Sequence, residues 1–203
     1  MTHHTKRNGS LAIALGVALL VSPVAHAADL DGNYALRGVG SASCADYTAA
    51  LAEDPTRAQT FVGWMAGYIT ARSRTADETF DVLPLISGAD VAGLLRVVCI
   101  QNSDTTFENA IDAAITLFEP ARITTDSPLL QLSHAGQTIA VRTSTLAQVQ
   151  QALADLGLYS SAVDGAYGTG TQLAISQFQT SRNLADTGLP DADTIVALLL
   201  TDE

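Results

Sequence analysis

This chain of 203 residues contains a single lysine, Lys6. Lys and Arg together number 10 against 21 Asp and Glu, so the formal net charge is −11. Nucleic acids and anionic membrane surfaces are bound through clustered positive charge. Scattered arginines provide no such cluster, and we therefore expect neither a nucleic-acid partner nor a membrane partner.

Long apolar runs are also lacking, apart from one near the start of the chain. Lys6 and Arg7 precede an apolar segment at Leu11–Val21, and Ala25-His26-Ala27 then forms a small-x-small cleavage pattern. A membrane anchor, the alternative, needs roughly 20 apolar residues, so this run is too short. We predict a cleaved secretory signal at residues 1–27, which places the mature protein in the periplasm or outside the cell. Cleavage leaves 203 − 27 = 176 residues with a formal charge of 8 − 21 = −13.

Cysteine and histidine are scarce in the mature chain, which contains Cys44, Cys99 and His134. A single histidine without a second His or Cys at metal spacing is a weak ligand, so no metal site is expected. The alternative, a catalytic thiol, would need a nearby base, and His134 is the only histidine of the mature chain that could act as that base. In an oxidising compartment two cysteines favour a disulfide, and we predict the Cys44–Cys99 bridge.

Motifs that carry catalysis are missing as well. The sequence contains no nucleophile elbow, phosphate-binding loop or paired-carboxylate motif. Glu108 and Asp112 lie four residues apart on a predicted helix, a spacing that is typical of a solvated helix face. We therefore expect no enzyme, no catalytic residues and no cofactor.

Four helices are predicted between residues 41 and 118. Ser43-Cys44-Ala45-Asp46 has the pattern of a capping box, and the helix that it begins should end before Pro55. From Thr56 a long helix is predicted, in which Gly63 and Gly67 could let another backbone come close. We expect this to be packing within the fold, and the alternative is a dimer motif. The apolar residues of this helix follow helical spacing: Phe61, Trp64, Met65, Tyr68 and Ile69.

The third and fourth helices follow after a polar turn. Ser87 precedes apolar residues with a period of 3.6 that end at Cys99, and Asp104 should begin the last helix, which runs to Phe118. One cysteine thus begins the first helix and the other ends the third. A disulfide between them would tie together the ends of a small bundle around the long second helix.

The segments around the two cysteines resemble a known family. Ser43-Cys44-Ala45-Asp46-Tyr47, the helix at 61–71 and Val98-Cys99-Ile100-Gln101-Asn102 are similar to HdeA-type periplasmic acid-stress proteins, which are small helical domains with one disulfide in this position. The resemblance covers residues 41–118. It implies no active site, and it implies that protonation of carboxylates in acid could free an apolar surface for unfolding client proteins. The alternative is a plain structural module.

A boundary between two domains is predicted at residues 119–143. Glu119-Pro120, Ser127-Pro128 and Gly136 interrupt a stretch without helical period. Residues 137–142 should form one short strand or stay extended. We expect residues 28–40 to be a flexible N-terminus.

Three further helices are predicted in residues 144–201. Ser144 or Thr145 should cap the first, which ends at Gly157, the second should run from about 171 to 182, and the third from about 191 to 200. Two turns before helices repeat each other. Gly165 precedes Thr171 by six residues, and Gly188 precedes Thr194 by six.

The order of these residues resembles the three-helix type of peptidoglycan-binding domain. The matching positions are Leu146, Val149, Gln150, Leu153, Asp164, Gly165, Tyr167, Gly168, Thr171, Ala174, Ile175, Phe178, Gln179, Thr187, Gly188 and Thr194. Asn183 stands where the family often has glycine, which leaves the turn intact because asparagine tolerates left-handed backbone. The basic residues common on the family's surface are absent here.

Family membership implies a non-catalytic hold on peptidoglycan through a shallow groove. The residues that should line it are Asp164, Gly165, Tyr167, Gly168 and Gln179. The fold class is then mainly α, with two small helical bundles joined by an irregular linker after the signal peptide.

The sequence thus predicts a secreted, wall-associated protein that tethers a helical head to peptidoglycan. Two alternatives remain for the head: an acid-stress chaperone that binds unfolded clients, or an inhibitor or immunity protein that binds a wall hydrolase.

Overall fold

The computed structural model describes residues 29, 31 and 33–200, so the predicted signal at 1–27 lies outside the described residues. The described part contains seven α-helices and one two-stranded sheet, which confirms the mainly α fold class. The helices are α1 (Cys44–Glu53), α2 (Pro55–Thr75), α3 (Gly88–Gln101), α4 (Phe107–Leu117), α5 (Thr143–Asp155), α6 (Thr169–Ser181) and α7 (Ala192–Leu199), and the strands are β1 (Leu129–His134) and β2 (Gln137–Arg142). None of the described helices combines the length and hydropathy that a membrane span requires.

The first four helices form the head, residues 41–118. Ser43 begins α1 with the predicted capping box, in which its hydroxyl accepts a bond from Asp46 N and the Asp46 carboxylate accepts one from Ser43 N. The predicted start of the fourth helix at Asp104 is wrong. Thr106 is its N-cap and accepts a bond from Asn109 N, because the preceding residues are held in a turn by a bond from Thr105 N to Asn102 O.

Three aromatic rings fill the centre of the head. Tyr47, Phe61 and Phe107 are fully buried, with ring centroids 4.6–5.3 Å apart. The Tyr47 hydroxyl donates to Ala92 O at 2.8 Å, so α1 is also bonded to α3. The predicted disulfide is confirmed, because Cys44 and Cys99 are joined next to this cluster.

The segment that precedes the head covers Trp64. Residues Gly38–Ser41 form a 3-10 helix, although residues 28–40 are predicted to be flexible. Trp64 Nε1 donates to Arg37 O at 2.8 Å, and a Cβ added at Gly40 would lie 2.2 Å from the indole ring. Glycine is required there by the close approach of the ring. Among the described residues, an added Cβ at Gly63 or Gly67 meets nothing within 4 Å, so the predicted close packing within the fold is wrong.

The segment 119–143 contains a β-hairpin where the sequence predicts an irregular linker with at most one short strand. Strands β1 and β2 pair antiparallel with His134 opposite Gln137. The turn residues Ala135 and Gly136 both have positive φ, 49° and 81°, the combination that a type I′ turn requires. Leu132 and Val141 are the buried residues of the hairpin, and Leu130 and Ile139 are half-buried beside them.

Residues 36–200 form one compact unit. The Arg142 guanidinium lies 2.8 Å from Asp126 Oδ1 and 4.6 Å from the centre of the Phe80 ring. Gln148 Nε2 donates to Ala121 O at 3.1 Å. The C-terminal helices therefore pack directly against the head and the segment that follows it.

Candidate functional site

A buried glutamine builds the turn before α6. Gln150 on α5 is 0% exposed, and its Oε1 accepts bonds from Asp164 N at 2.9 Å and Gly165 N at 2.8 Å. Its Nε2 donates to Ala166 O at 2.9 Å and Thr171 Oγ1 at 3.1 Å. One amide thus satisfies both ends of the loop, which we call the first turn (residues 164–168).

A second glutamine builds the turn before α7 in the same way. Gln179 on α6 is also 0% exposed, and its Oε1 accepts bonds from Thr187 N and Gly188 N, both at 2.9 Å. Its Nε2 donates to Leu189 O at 3.0 Å and Thr194 Oγ1 at 2.8 Å. The second turn (residues 187–191) therefore repeats the first one bond for bond.

The two turns differ at the residue that begins the following helix. In the second turn Asp191 is the N-cap, and its Oδ1 accepts bonds from Thr194 N at 2.9 Å and Thr194 Oγ1 at 2.6 Å. In the first turn Gly168 is the N-cap, and no side chain of the described residues caps α6. The first N–H groups of a helix have no intrahelical partner and carry partial positive charge. The start of α6 can thus accept an anionic group of a ligand, whereas the start of α7 already holds a carboxylate.

Small and exposed residues surround the start of α6. Gly168, Thr169 and Gly170 are all exposed. A Cβ added at Gly170 would lie 3.5 Å from Ser161 Oγ and 3.8 Å from the Tyr159 ring, and one added at Gly168 would meet no described atom within 4 Å. A ligand can therefore approach the backbone here, with a hydroxyl and an aromatic ring beside it.

Asp164 is the exposed carboxylate of the first turn. Its Oδ1 accepts bonds from Ala166 N at 2.9 Å and Gln150 Nε2 at 3.2 Å, and these two bonds lower the pKa of Asp164. The side chain therefore keeps its negative charge into mildly acidic solution. A carboxylate in this position suits an amino group of a ligand.

Tyr167 joins the two turns. Its hydroxyl donates to Gly188 O at 2.6 Å, and its ring is half-buried against the core. Burial raises the pKa of the Tyr167 phenol, so the group stays a neutral donor. Because the hydroxyl is used inside the fold, only the exposed part of the ring remains for contact with a ligand.

The hairpin lies beside the second turn. His134 Nε2 and Gln172 Nε2 are 2.8 Å apart, and a Cβ added at Gly188 would lie 3.2 Å from the His134 ring. His134 therefore has a packing role. In the described part of the chain no three His, Cys, Asp or Glu side chains are grouped as metal ligands.

The structure brings four of the five residues predicted to line the groove into one turn. Asp164, Tyr167 and Gly168 lie at or near the surface, and Gly165 is buried with φ 68°, where a Cβ would meet Thr143 O at 2.5 Å. Gln179 belongs to the second turn and has its amide engaged inside the fold. Contact of any of these residues with a ligand stays a prediction.

Sequence reasoning missed Gln150 as the residue that holds the first turn. A signal existed, because both glutamines precede a glycine turn and a threonine in the same order. The uncapped start of α6 was also missed, although glycine at 168 and aspartate at 191 differ visibly in the sequence.

Comparison with known proteins agrees with this geometry. Residues 142–198 match the model of a family described as "Putative peptidoglycan binding domain". A stretch of 51 residues is 49% identical to the "Putative OxPP cycle protein OpcA" of Synechococcus elongatus, which covers 25% of this chain and 12% of that protein. The chain thus spans about an eighth of the length of this relative, and no solved structure matches it significantly. The resemblance of residues 41–118 to HdeA-type proteins stays a prediction.

The family match confirms the resemblance of the C-terminal region to peptidoglycan-binding domains and supports a cell-wall binding role. It covers both glutamines, both turns and α5–α7, and hence the whole site described above.

Proposed function

We propose that this protein is secreted, is not an enzyme, and tethers its helical head to peptidoglycan through the first turn and the start of α6. The observation that carries the proposal is the contrast between the two turns inside a region that matches a peptidoglycan-binding family. In the second turn the Asp191 carboxylate caps the start of α7, whereas Gly168 in the first turn has no side chain that could cap α6.

The chemistry of the first turn suits a peptide with charges of both signs. Stem peptides of peptidoglycan carry free carboxylates and, at their diamino acid, an amino group. A carboxylate fits the N–H groups at the start of α6, because helix N-termini bind anions. The amino group fits the Asp164 carboxylate, which the first turn holds in its ionised form.

The strongly acidic surface is consistent with recognition of the peptide. A protein with a net charge of −11 gains little from general attraction to anionic wall polymers. Affinity must then come from specific hydrogen bonds and ion pairs, which the N–H groups at the start of α6 and the Asp164 carboxylate can supply.

A single substitution tests this assignment. Gly168→Asp should abolish binding, because the new carboxylate would occupy the N–H groups at the start of α6 and repel an anionic ligand. The fold should keep its stability or gain a few tenths of a kcal/mol, since aspartate is at least as good an N-cap as glycine. The backbone at Gly168, with φ −116° and ψ −179°, accepts any residue.

The measurement is co-sedimentation of the full chain with insoluble peptidoglycan, with albumin as the background. We expect the unmodified chain to pellet and Gly168→Asp to stay in the supernatant. Gln177→Glu adds the same charge at an exposed position of α6 and should pellet normally. The proposed function is wrong if the unmodified chain does not pellet, and the site assignment is wrong if Gly168→Asp still does.

A further inference from the structure

Helix α3 presents an apolar face to solvent. Val97 is 53% exposed and Ile100 is 59% exposed, and Leu94 beside them is half-buried. Gly93 lies one turn before Val97, and a Cβ added there would meet nothing within 4 Å. We call these four residues the α3 face. Contiguous exposed apolar surface marks interaction sites, whereas scattered single apolar residues do not.

Two grooves flank the α3 face. One, of about 470 Å³, lies between α3 and the start of α7, and its walls include Asp90, Leu94, Val97 and Val196. The other, of about 690 Å³, lies between α1 and α3, and its walls include Leu51, Arg96 and Ile100. Gly93 lines both grooves. The exposed ridge between two grooves can therefore pack into the surface of another helix, as ridges and grooves do in helix pairs.

The charges on the two sides of the ridge are opposite. The groove next to α7 carries Asp90, Asp191 and Asp193, and none of these forms an ion pair with a cation in the described residues. Partial burial raises the pKa of Asp90, and the charges of Asp191 and Asp193 raise it further. The groove next to α1 carries Arg96 instead.

We propose that the α3 face docks an amphipathic α-helix of a partner protein, with its apolar stripe on Val97 and Ile100 and its Lys or Arg residues over Asp90 and Asp193. Charge complementarity selects this occupant, because a cation there would relieve the repulsion among three neighbouring carboxylates. The walls of the two grooves run along α3 from Ala89 to Ile100, roughly 16 Å at 1.5 Å per residue, which matches about three turns of a docked helix. A second copy of this chain fits less well, because it would bring the same excess of acidic residues.

The test uses the full chain and a fluorescently labelled 18-residue helical peptide. The peptide has leucines at helical spacing and lysines along one edge, and a second peptide carries glutamates in place of the lysines. Fluorescence anisotropy should show saturable binding of the lysine peptide and none of the glutamate peptide. Val97→Ser with Ile100→Ser should weaken binding at least tenfold.

Matched variants test whether the loss of peptide binding is specific to the α3 face. Leu117 and Leu129 are 53% and 51% exposed and lie outside the α3 face, so Leu117→Ser with Leu129→Ser should bind the peptide as the unmodified chain does. Asp90→Asn with Asp193→Asn should reduce the salt dependence of binding. Circular dichroism should show that all these variants are folded, and all should still pellet with peptidoglycan.

Three results would overturn the proposal. The first is failure of the lysine peptide to bind, or equal binding of both peptides. The second is equal loss of binding in both serine pairs. The third is a dimer in light scattering of the full chain that Val97→Ser with Ile100→Ser converts to a monomer, because the face would then belong to a second copy.

Discussion

Replacement of Gln150 by alanine is expected to destabilise the protein by about 3–5 kcal/mol. Its amide bonds to two backbone N–H groups, one carbonyl and the Thr171 hydroxyl, and the side chain is 0% exposed. Alanine would leave these groups without partners in the interior, and each unsatisfied buried polar group costs about 1–3 kcal/mol. The first turn would lose its shape, so peptidoglycan binding should fall as well.

Urea unfolding followed by circular dichroism measures this loss. Gln151→Ala is the matched control, because Gln151 is the next residue on α5, is exposed and bonds only to Asp155 among the described residues. We expect that control to change stability by less than about 0.5 kcal/mol. Similar midpoints for Gln150→Ala and the unmodified chain would contradict the role given to the buried amide.

Removal of the disulfide is expected to destabilise the protein by about 4 kcal/mol. Cys44 and Cys99 are 55 residues apart in sequence. In the chain-entropy model, closing a loop of that size lowers the entropy of the unfolded chain, which raises the free energy of unfolding by about 4 kcal/mol. The bridge joins the start of α1 to the end of α3, and the closed loop contains all of α2. Loss of the bridge should therefore destabilise the whole head.

The disulfide prediction is tested with a double variant that combines Cys44→Ala and Cys99→Ala. Guanidinium unfolding of this variant should have a lower midpoint than that of the unmodified chain. A reductant should lower the midpoint of the unmodified chain to nearly the same value and leave the variant unchanged. An unmodified chain that is insensitive to reductant under unfolding conditions would show that the bridge adds no stability.

Helices with clear caps and an apolar period were predictable from the sequence. The Ser43 capping box begins α1, Pro55 marks the start of α2, and Gly157 with φ 72° lies just past the end of α5 as expected. Starts without a distinct cap were not predictable. Helix α5 begins at Thr143 after Arg142, which gives no side-chain cap, so the prediction of Ser144 or Thr145 as N-cap is wrong.

The hairpin was missed for a different reason. Burial alternates along both strands, but each strand covers only two apolar side chains, Leu130 and Leu132 in β1 and Ile139 and Val141 in β2. So short an alternation is a weak strand signal in the sequence. The left-handed Ala135 next to Gly136 is unusual for alanine, so the type I′ turn had no standard sequence signal.

The site was predictable in its position but not in its construction. Glycine and threonine spacing indicated both turns, since those residues are needed for left-handed backbone and local bonds. Gln150 lies on the apolar face of α5, four residues after Leu146 and three before Leu153, so helical spacing indicates its burial but not which backbone groups its amide contacts. The same holds for Gln179, four residues after Ile175 on α6. Only the tertiary fold brings each amide under its turn.

Binding of a soluble muropeptide to the isotope-labelled full chain, followed by amide NMR shifts, tests the central claim most directly. The duplicated turns provide an internal control. We predict saturable shifts at Gly165, Gly168 and Gly170, with Gly188 in the second turn unchanged. No saturable shift, or shifts confined to the second turn or to the head, would contradict the assignment of peptidoglycan binding to the first turn.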